Sequence, residues 1–338
     1  MQTFAAIDLH SNNGVLAIID ESDRILKQRR IPNKVELFAA ELEPFRATLK
    51  GVAIESTFNW YWLVDGLRAN NFPVVLVNTA AIQQYEGLKH SDDPYDAWWL
   101  AHMMRLGILP KGHIYPPAER AVRDLLRKRA TLVRQRTANI LSVQNLEQRN
   151  RGTKISANEV KHLTPARIGE LYANEDLALA LTTTIKVIDA LTEQTRILEQ
   201  AVLRRARLRN EFKLLLTIWG IGEILALTIM YELGDIGRFG SPGNFASYCR
   251  CVDASRLSNG KKKADNNAKN GNKYLAWAFV EAAHFAIRFY PQAKRYYDRK
   301  GAKTNAVVAI KTIAHKLARA AFHVIREQKP FDPKKVFG

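Results

Sequence analysis

Short apolar runs open the chain. Thr3-Phe4-Ala5-Ala6-Ile7-Asp8-Leu9-His10, residues 14–20 and residues 25–31 have strand length, and the polar pieces between them, Ser11-Asn12-Asn13 and Glu21-Ser22-Asp23, favour turns. Three strands joined so briefly predict an antiparallel meander. The pattern then alternates: an amphipathic stretch over 34–49, a strand over 51–55, a helix over 60–69 and a strand over 73–78. Ser91 to Ala101 reads as a helix start with Pro94 in its first turn. Two long helices follow, 118–150 and 176–209, separated by a polar stretch containing Arg151-Gly152 and Thr164-Pro165. In the second, Leu181, Ile185, Ile188, Leu191, Thr195, Leu198 and Val202 recur at steps of three and four, the spacing of a coiled-coil seam. The first is weaker, its apolar positions interrupted by arginines. A helical hairpin, a bundle within one chain and an oligomerisation arm all satisfy this pattern. Helices over 272–289, 292–300 and 305–328 complete the chain. Trp277, Phe279, Phe285 and Phe289 lie at helical spacing and read as core more readily than as base-stacking groups. His284, His315 and His323 likewise read as packed or hydrogen-bonded.

This order of elements predicts α/β plus α: a ribonuclease-H-like mixed sheet, a long helical connection and a mainly helical C-terminal domain. In such a sheet the first and fourth strands are neighbours. Asp8 and Glu55 then share one crevice at the carboxyl ends of parallel strands. Burying an unpaired carboxylate in an apolar strand costs free energy, so Asp8 needs a partner, and a cation fits. Asp93 and Asp96, three apart, share a helix face and complete a set of four acids. Oxygen ligands of this kind suit Mg²⁺, with Mn²⁺ as a substitute, and a pair of ions about 4 Å apart stabilises attacking and leaving oxygens together. Helix capping is the competing explanation for Asp92 and Asp93.

Charge points the same way. The net charge is +18, and it is unevenly spread: residues 1–111 hold 11 Lys and Arg against 13 Asp and Glu, whereas residues 241–338 hold 20 against 6, a net of +14. An acidic metal-binding end and a basic gripping end fit nucleic-acid processing. No apolar run of membrane-spanning length and no N-terminal signal pattern occurs, which predicts a soluble, cytoplasmic protein with no membrane partner. At 338 residues and 47% hydrophobic the chain has room for two cores. Its two cysteines, Cys249 and Cys251, make neither a zinc framework nor a disulfide scaffold.

The C-terminal half carries further candidates. Leu214 to Ala226 resembles a helix-hairpin-helix, in which Gly220-Ile221-Gly222 turns sharply and presents backbone amides to a phosphate; a tight helix–helix turn explains the same residues. The arginine run on the first long helix, which includes Arg127 and Arg134, is either a solvated face or a track for a phosphate backbone. Residues 253–273 form a polar loop rich in lysine, asparagine and glycine. There Ser258 stands in Ser-Asn-Gly beside Lys261, Lys262 and Lys263, with Lys269 and Lys273 beyond. Lysines at that spacing neutralise phosphate, but a serine nucleophile needs a base or strong polarisation of its target, and no histidine is adjacent.

Asp8 in Ile-Asp-Leu-His, Glu55 in Ile-Glu-Ser-Thr, Asp93-Pro-Tyr-Asp96-Ala, the Gly220-Ile-Gly222 turn, Arg238-Phe239, and Ser258-Asn-Gly with Lys269-Asn-Gly-Asn-Lys-Tyr-Leu-Ala together resemble the DEDD insertion-sequence transposases, a bacterial family guided by a noncoding bridge RNA. The likeness runs from residue 3 to about 327, and Ser-Asn-Gly-Lys-Lys-Lys particularly resembles the subgroup named after insertion sequence eleven-eleven. The resemblance implies a RuvC-like domain over 1–112, a coiled-coil connection over 113–210, a transposase domain over 211–328 and a tail over 329–338. It implies that Asp8, Glu55, Asp93 and Asp96 bind Mg²⁺, that Ser258 attacks the scissile phosphate and is transiently joined to DNA, and that the site is shared between subunits of a tetramer. Its implied partners are element and target DNA and a guide RNA that supplies sequence choice. Two departures stand out. Ser91-Asp92 replaces a common Lys-Thr, which makes Asp92 a rival ligand, and Ser255 is a rival nucleophile. Other classes remain: a junction-resolving nuclease using activated water, an RNA-binding protein with a dead nuclease site, and an actin-like sugar kinase or ATPase, which lacks here the second glycine-rich phosphate loop it requires.

Overall fold

In the computed structural model, residues 1–82, 92–252 and 270–338 are described, together with 255–258 and 261–265, where Lys261 alone is described beyond its backbone. The opening meander forms as the alternation predicts: β1 (Thr3–Leu9), β2 (Asn13–Asp20) and β3 (Ile25–Pro32) pair antiparallel in succession. β4 (Leu49–Glu55) then inserts beside β1 and runs parallel to it, and β5 (Val74–Val77) runs parallel to β4. The sheet order is β3-β2-β1-β4-β5, the mixed sheet of a ribonuclease-H-like fold. One expected element is shorter. The stretch over 34–49 yields α1 (Val35–Leu42) and a 3-10 turn at Glu43–Phe45, because Pro44 has no amide with which to continue the helix. Leu49 and Lys50 join β4 instead.

Alternation along the strands sorts the two faces. Ala5, Ile7 and Leu9 face α1 and α2 (Tyr61–Ala69), in a core with Phe38, Leu42, Leu63 and Leu67. Ala6, Ile19, Ala53 and Val77 face α3 (Asp93–Arg105) through Leu100, Ala101 and Met103. Asp8 follows Ala6 in this alternation and Glu55 follows Ala53, so both acids are delivered to the α3 side.

The chain divides into two compact units, Met1–Ile114 and Tyr115–Gly338. In the second, α4 (Pro117–Arg151) and α7 (Glu175–Ala206) pack along one another as a hairpin, with the short α5 (Ala157–Lys161) and α6 (Pro165–Leu171) at its closed end. Leu181, Ile185, Ile188, Thr195 and Val202 are buried, as the seam spacing requires. The open end of the hairpin, at Val122, Leu126, Val202 and Ala206, shares a core with the helices that follow. These are α8 (Asn210–Leu215), α9 (Glu223–Leu233), α10 (Pro242–Tyr248), α11 (Lys273–Phe289), α12 (Pro291–Lys303), α13 (Ala306–Glu327) and α14 (Pro333–Phe337). Between α10 and α11 lies a hairpin of β6 (Ser255–Ser258) and β7 (Lys261–Asp265).

α11 buries Leu275, Ala278, Phe279, Ala282, Ala283 and Ala286, a stripe whose small side chains let neighbouring helices approach closely. The reading of its aromatics as core holds for Phe279 only. Trp277, Phe285 and Phe289 fall off that stripe and are 38%, 42% and 61% exposed. Nor are the histidines uniformly packed: His284 is exposed, and His323 is exposed with Nδ1 2.8 Å from Glu327. His315 is half-buried, and desolvation, followed by the charges of Arg319 and Lys316, holds its pKa below the ordinary value.

Candidate metal centre

Three acids meet in a cleft of about 340 Å³ on the α3 side of the sheet: Asp8 from the end of β1, Glu55 from the end of β4 and Asp96 from the first turn of α3. Thr79, Ile82, Trp99 and Leu100 complete its walls. The pairing of Ile7 with Ile54 sets Asp8 and Glu55 at corresponding positions on neighbouring parallel strands. α3 is anchored at both ends. At its start Gln28 Nε2 donates to the Pro94 carbonyl at 2.7 Å and Arg30 Nη2 donates to Asp93 Oδ2 at 2.5 Å. Near its end His102 Nδ1 and Arg105 Nε lie 2.8 and 2.6 Å from Asp23 Oδ1.

The electrostatics of the four acids divide them. Glu55 is pushed up to about 8, first by burial, then by its hydrogen bond with Asp8 and by the charges of Asp8 and Asp96. Asp96 is raised as well, by burial and then by Asp8, Asp93 and Asp92. Asp93 is lowered, chiefly by the hydrogen bond from Arg30, against a smaller cost of desolvation. Glu55 and Asp96 are thus crowded acids, and Asp93 already has a protein counter-charge. Asp92 is the N-cap of α3, its Oδ1 accepting from the Tyr95 amide at 2.9 Å.

His10 is the residue that sequence reasoning quoted without giving it a role. Its Nε2 lies 3.3 Å from Asp8 Oδ2 and 3.2 Å from Asp93 Oδ2, and the ligand atoms of these three residues lie within 4.8 Å of one another. The signal was available: positions 8 and 10 share a strand face. Arg30 was also missed. It stands opposite Val15, itself opposite Asp8, which a hairpin register read from the turns would have indicated. Two buried atoms of the cluster, His10 Nε2 and Asp96 Oδ1, make no hydrogen bond among the described residues. Carboxylate oxygens with one imidazole nitrogen form a donor set that fits Mg²⁺ and, with the nitrogen included, Mn²⁺.

The basic candidates lie in the second unit. Ser258 pairs through its backbone with Lys261 across the β6–β7 hairpin. The side chains of Ser255, Ser258, Lys262, Lys263 and Lys269 fall outside the described residues. Lys261 and Lys273 are exposed, and the Lys273 ammonium sits 5.3 Å from the Tyr274 ring centroid. Gly220 has φ +81°, and a Cβ there would come within 2.0 Å of the Ala282 carbonyl oxygen, so the turn before α9 packs directly against α11. Gly222 is the N-cap of α9 and has open space around it. Arg134 is exposed and donates to Thr131 Oγ1 at 3.1 Å. Arg127 makes a bidentate pair with the buried Glu232, at 2.6 and 2.8 Å, and Asn272 Nδ2 donates to the same carboxylate at 2.7 Å. Among the described residues no helix is long and apolar enough to cross a membrane.

Two family models match the chain in succession. A transposase model of the DEDD type of IS110 matches residues 5–147, and the model for transposases of the IS116/IS110/IS902 family matches residues 212–298. No curated protein matches. The first match contains all four acids and His10; the second contains the Gly220 turn, Ser258 and the lysines that follow it. With a ribonuclease-H-like sheet carrying the acids and about two thirds of its length matched in the family's own order, the chain belongs to the IS110/IS116/IS902 family of insertion-sequence transposases, which are DNA-processing enzymes.

Proposed function

We propose that this transposase cuts and rejoins DNA with its carboxylate cluster and with Ser258 as nucleophile, at sites chosen by a guide RNA. The observation that carries the reading is the convergence of Asp8, Glu55 and Asp96 on one cleft, where they crowd one another enough to hold a proton on Glu55 to about pH 8. Such a cluster calls for a cation. Asp8, Glu55, Asp93 and Asp96 would hold Mg²⁺, or Mn²⁺ in its place. When bound, the ion supplies Lewis-acid stabilisation of charge at the scissile phosphate. Arg30 turns Asp93 toward His10 and Asp8, and the anchoring of α3 at both ends keeps Asp96 facing the strand ends. The Ser258 hydroxyl attacks phosphorus and gives its proton to solvent, while the bond from phosphorus to one deoxyribose oxygen breaks and that oxygen leaves as a free hydroxyl. The serine–DNA phosphodiester is released when a DNA hydroxyl attacks it in turn. Lys261 and its neighbouring lysines offset phosphate charge.

Delegation of sequence choice to RNA is supported by the absence of a zinc-finger or helix-turn-helix reader from the sequence. Assembly into a homo-oligomer is supported by Leu141, Leu179, Val187 and Ile197, which are exposed on the α4–α7 hairpin. A shared active site in a tetramer and a bacterial cytoplasmic location complete the proposal.

The test incubates purified protein with Mg²⁺, RNA transcribed from the flanks of its gene and the flanking DNA, then searches for a denaturant-resistant protein–DNA adduct. An adduct mapping to Ser258, lost in Ser258→Ala and in Asp8→Ala, is expected. Cleavage without an adduct would replace this reading with a nuclease that activates water.

A further inference from the structure

Between the end of α10, α11 and α13, the C-terminal unit contains a cavity of about 270 Å³. Its walls are Cys251, Trp277, Val280 and Ala314, and its charged lining residues are Arg250 and Lys311. The walls are held in place. The Arg250 guanidinium donates through Nε and Nη2 to the Gly271 carbonyl at 3.2 and 3.0 Å, and through Nε to the Asn270 carbonyl at 3.1 Å. Gly271 has φ +90°, and a Cβ there would meet the Tyr248 carbonyl oxygen at 2.4 Å. The cavity is therefore built around a tightly pinned junction. Burial pushes the Cys251 thiol up to about 12, which keeps that wall neutral and unreactive. Trp277 is 38% exposed in a helix whose next two residues, Ala278 and Phe279, are fully buried.

An aromatic plane, an apolar wall and two cations ask for a flat apolar ligand that carries negative charge beside it. We propose that this cavity takes one unpaired nucleobase of single-stranded DNA, stacked on Trp277, with its flanking phosphates near Arg250 and Lys311. The net charge of +14 over residues 241–338 favours a polyanion over a neutral aromatic molecule. DNA is the expected strand because the chain belongs to a family of DNA-processing transposases, and the lining Cys251, Trp277, Val280 and Ala314 makes no demand for a 2′-hydroxyl, the group by which a protein tells RNA from DNA. A cavity of this kind suits a strand whose bases have left the duplex, as the strands of a cut or displaced DNA end have. The inference adds a ligand site to the DNA-processing assignment and depends on neither the carboxylate cluster nor Ser258.

The experiment uses the full-length protein without added metal and single-stranded DNA carrying 5-iodouracil, irradiated and mapped by mass spectrometry. The expected result is a crosslink at Trp277. Binding of the same strand, read by fluorescence anisotropy, should weaken about tenfold in Trp277→Ala, the scale of one lost base–aromatic stack. Val280→Phe, which fills the cavity from a half-buried wall and leaves Trp277 in place, should weaken it to a similar degree. Duplex DNA should bind both variants like the parent. Crosslinks confined to other residues, parental affinity in Val280→Phe, or equal protection of the crosslink by a matched single-stranded RNA would each overturn the proposal.

Discussion

Each unit withdraws a glutamate from water, and the two are treated in opposite ways. Glu232, on α9, is 1% exposed and receives a bidentate guanidinium from Arg127 and an amide from Asn272, while its own carbonyl accepts from the Tyr115 hydroxyl at 2.7 Å. Glu55, at the end of β4, is partly buried against Asp8 and Asp96 and holds a proton to about pH 8. A buried acid matched by its own protein is structural: it pins α4, α9 and the start of α11 together. A buried acid surrounded by other acids instead keeps a proton, which a cation brought from outside would displace. Identical side chains thus form a matched joint in one unit and a crowded cluster of acids in the other, and only their neighbours distinguish the two.

Four substitutions or conditions break or sharpen this contrast. Asp8→Ala removes an acid from the crowded cluster. Strand cleavage in Mg²⁺ should fall on the order of a thousandfold, the scale of lost electrostatic stabilisation of a transition state, with thermal unfolding unchanged or raised in EDTA. Equal activity, measured on verified element DNA, would remove Asp8 from the chemistry. Glu232→Ala should behave oppositely, lowering stability to denaturant by about 1–3 kcal/mol, because the half-exposed Arg127 loses its bidentate partner and the buried Asn272 amide is left without its acceptor. A loss below about 1 kcal/mol would mean that the pair is not a joint.

The third test uses pH. Glu55 has a folded pKa of about 8 against an ordinary 4.5, so between those values the folded chain keeps a proton that the unfolded chain has released. Stability of the metal-free protein should fall as pH rises from about 4.5 to 8 and level off above that. Glu55→Gln should flatten this slope in melting curves recorded in EDTA, and added Mg²⁺ should flatten it in the parent. A parent slope equal to that of Glu55→Gln would contradict the crowding. The smallest effect is expected from His10→Asn, which should weaken Mn²⁺ binding about tenfold by calorimetry, at the lower end for a residue that supports a metal site. Unchanged affinity would make His10 a bystander.

Much of this arrangement was legible. The apolar runs located the meander and the β4 and β5 strands, the step of three and four located the α7 seam, and the single acid in each of two buried strands pointed to Asp8 and Glu55. What escaped were groups defined by the neighbour across a sheet or between helices. Arg30 acts through a register two strands away from Asp8. Arg127, which the sequence offers either as part of a solvated face or as a phosphate contact, pairs with Glu232, 105 positions on. Trp277 shares the periodic signal of Phe279 but falls outside the stripe that α13 and α9 cover.

By itself the sequence determined the order and type of the elements, the polarity of the two ends and the residues able to bear chemistry, because hydrophobic period, turn formers and side-chain type act over a few neighbouring positions. Tertiary structure alone decided which charges meet. Whether a carboxylate is matched, as Glu232 is by Arg127, or crowded, as Glu55 is by Asp8 and Asp96, depends on electrostatic contacts of a few ångströms between residues far apart in the chain, and those distances exist only once the elements have packed.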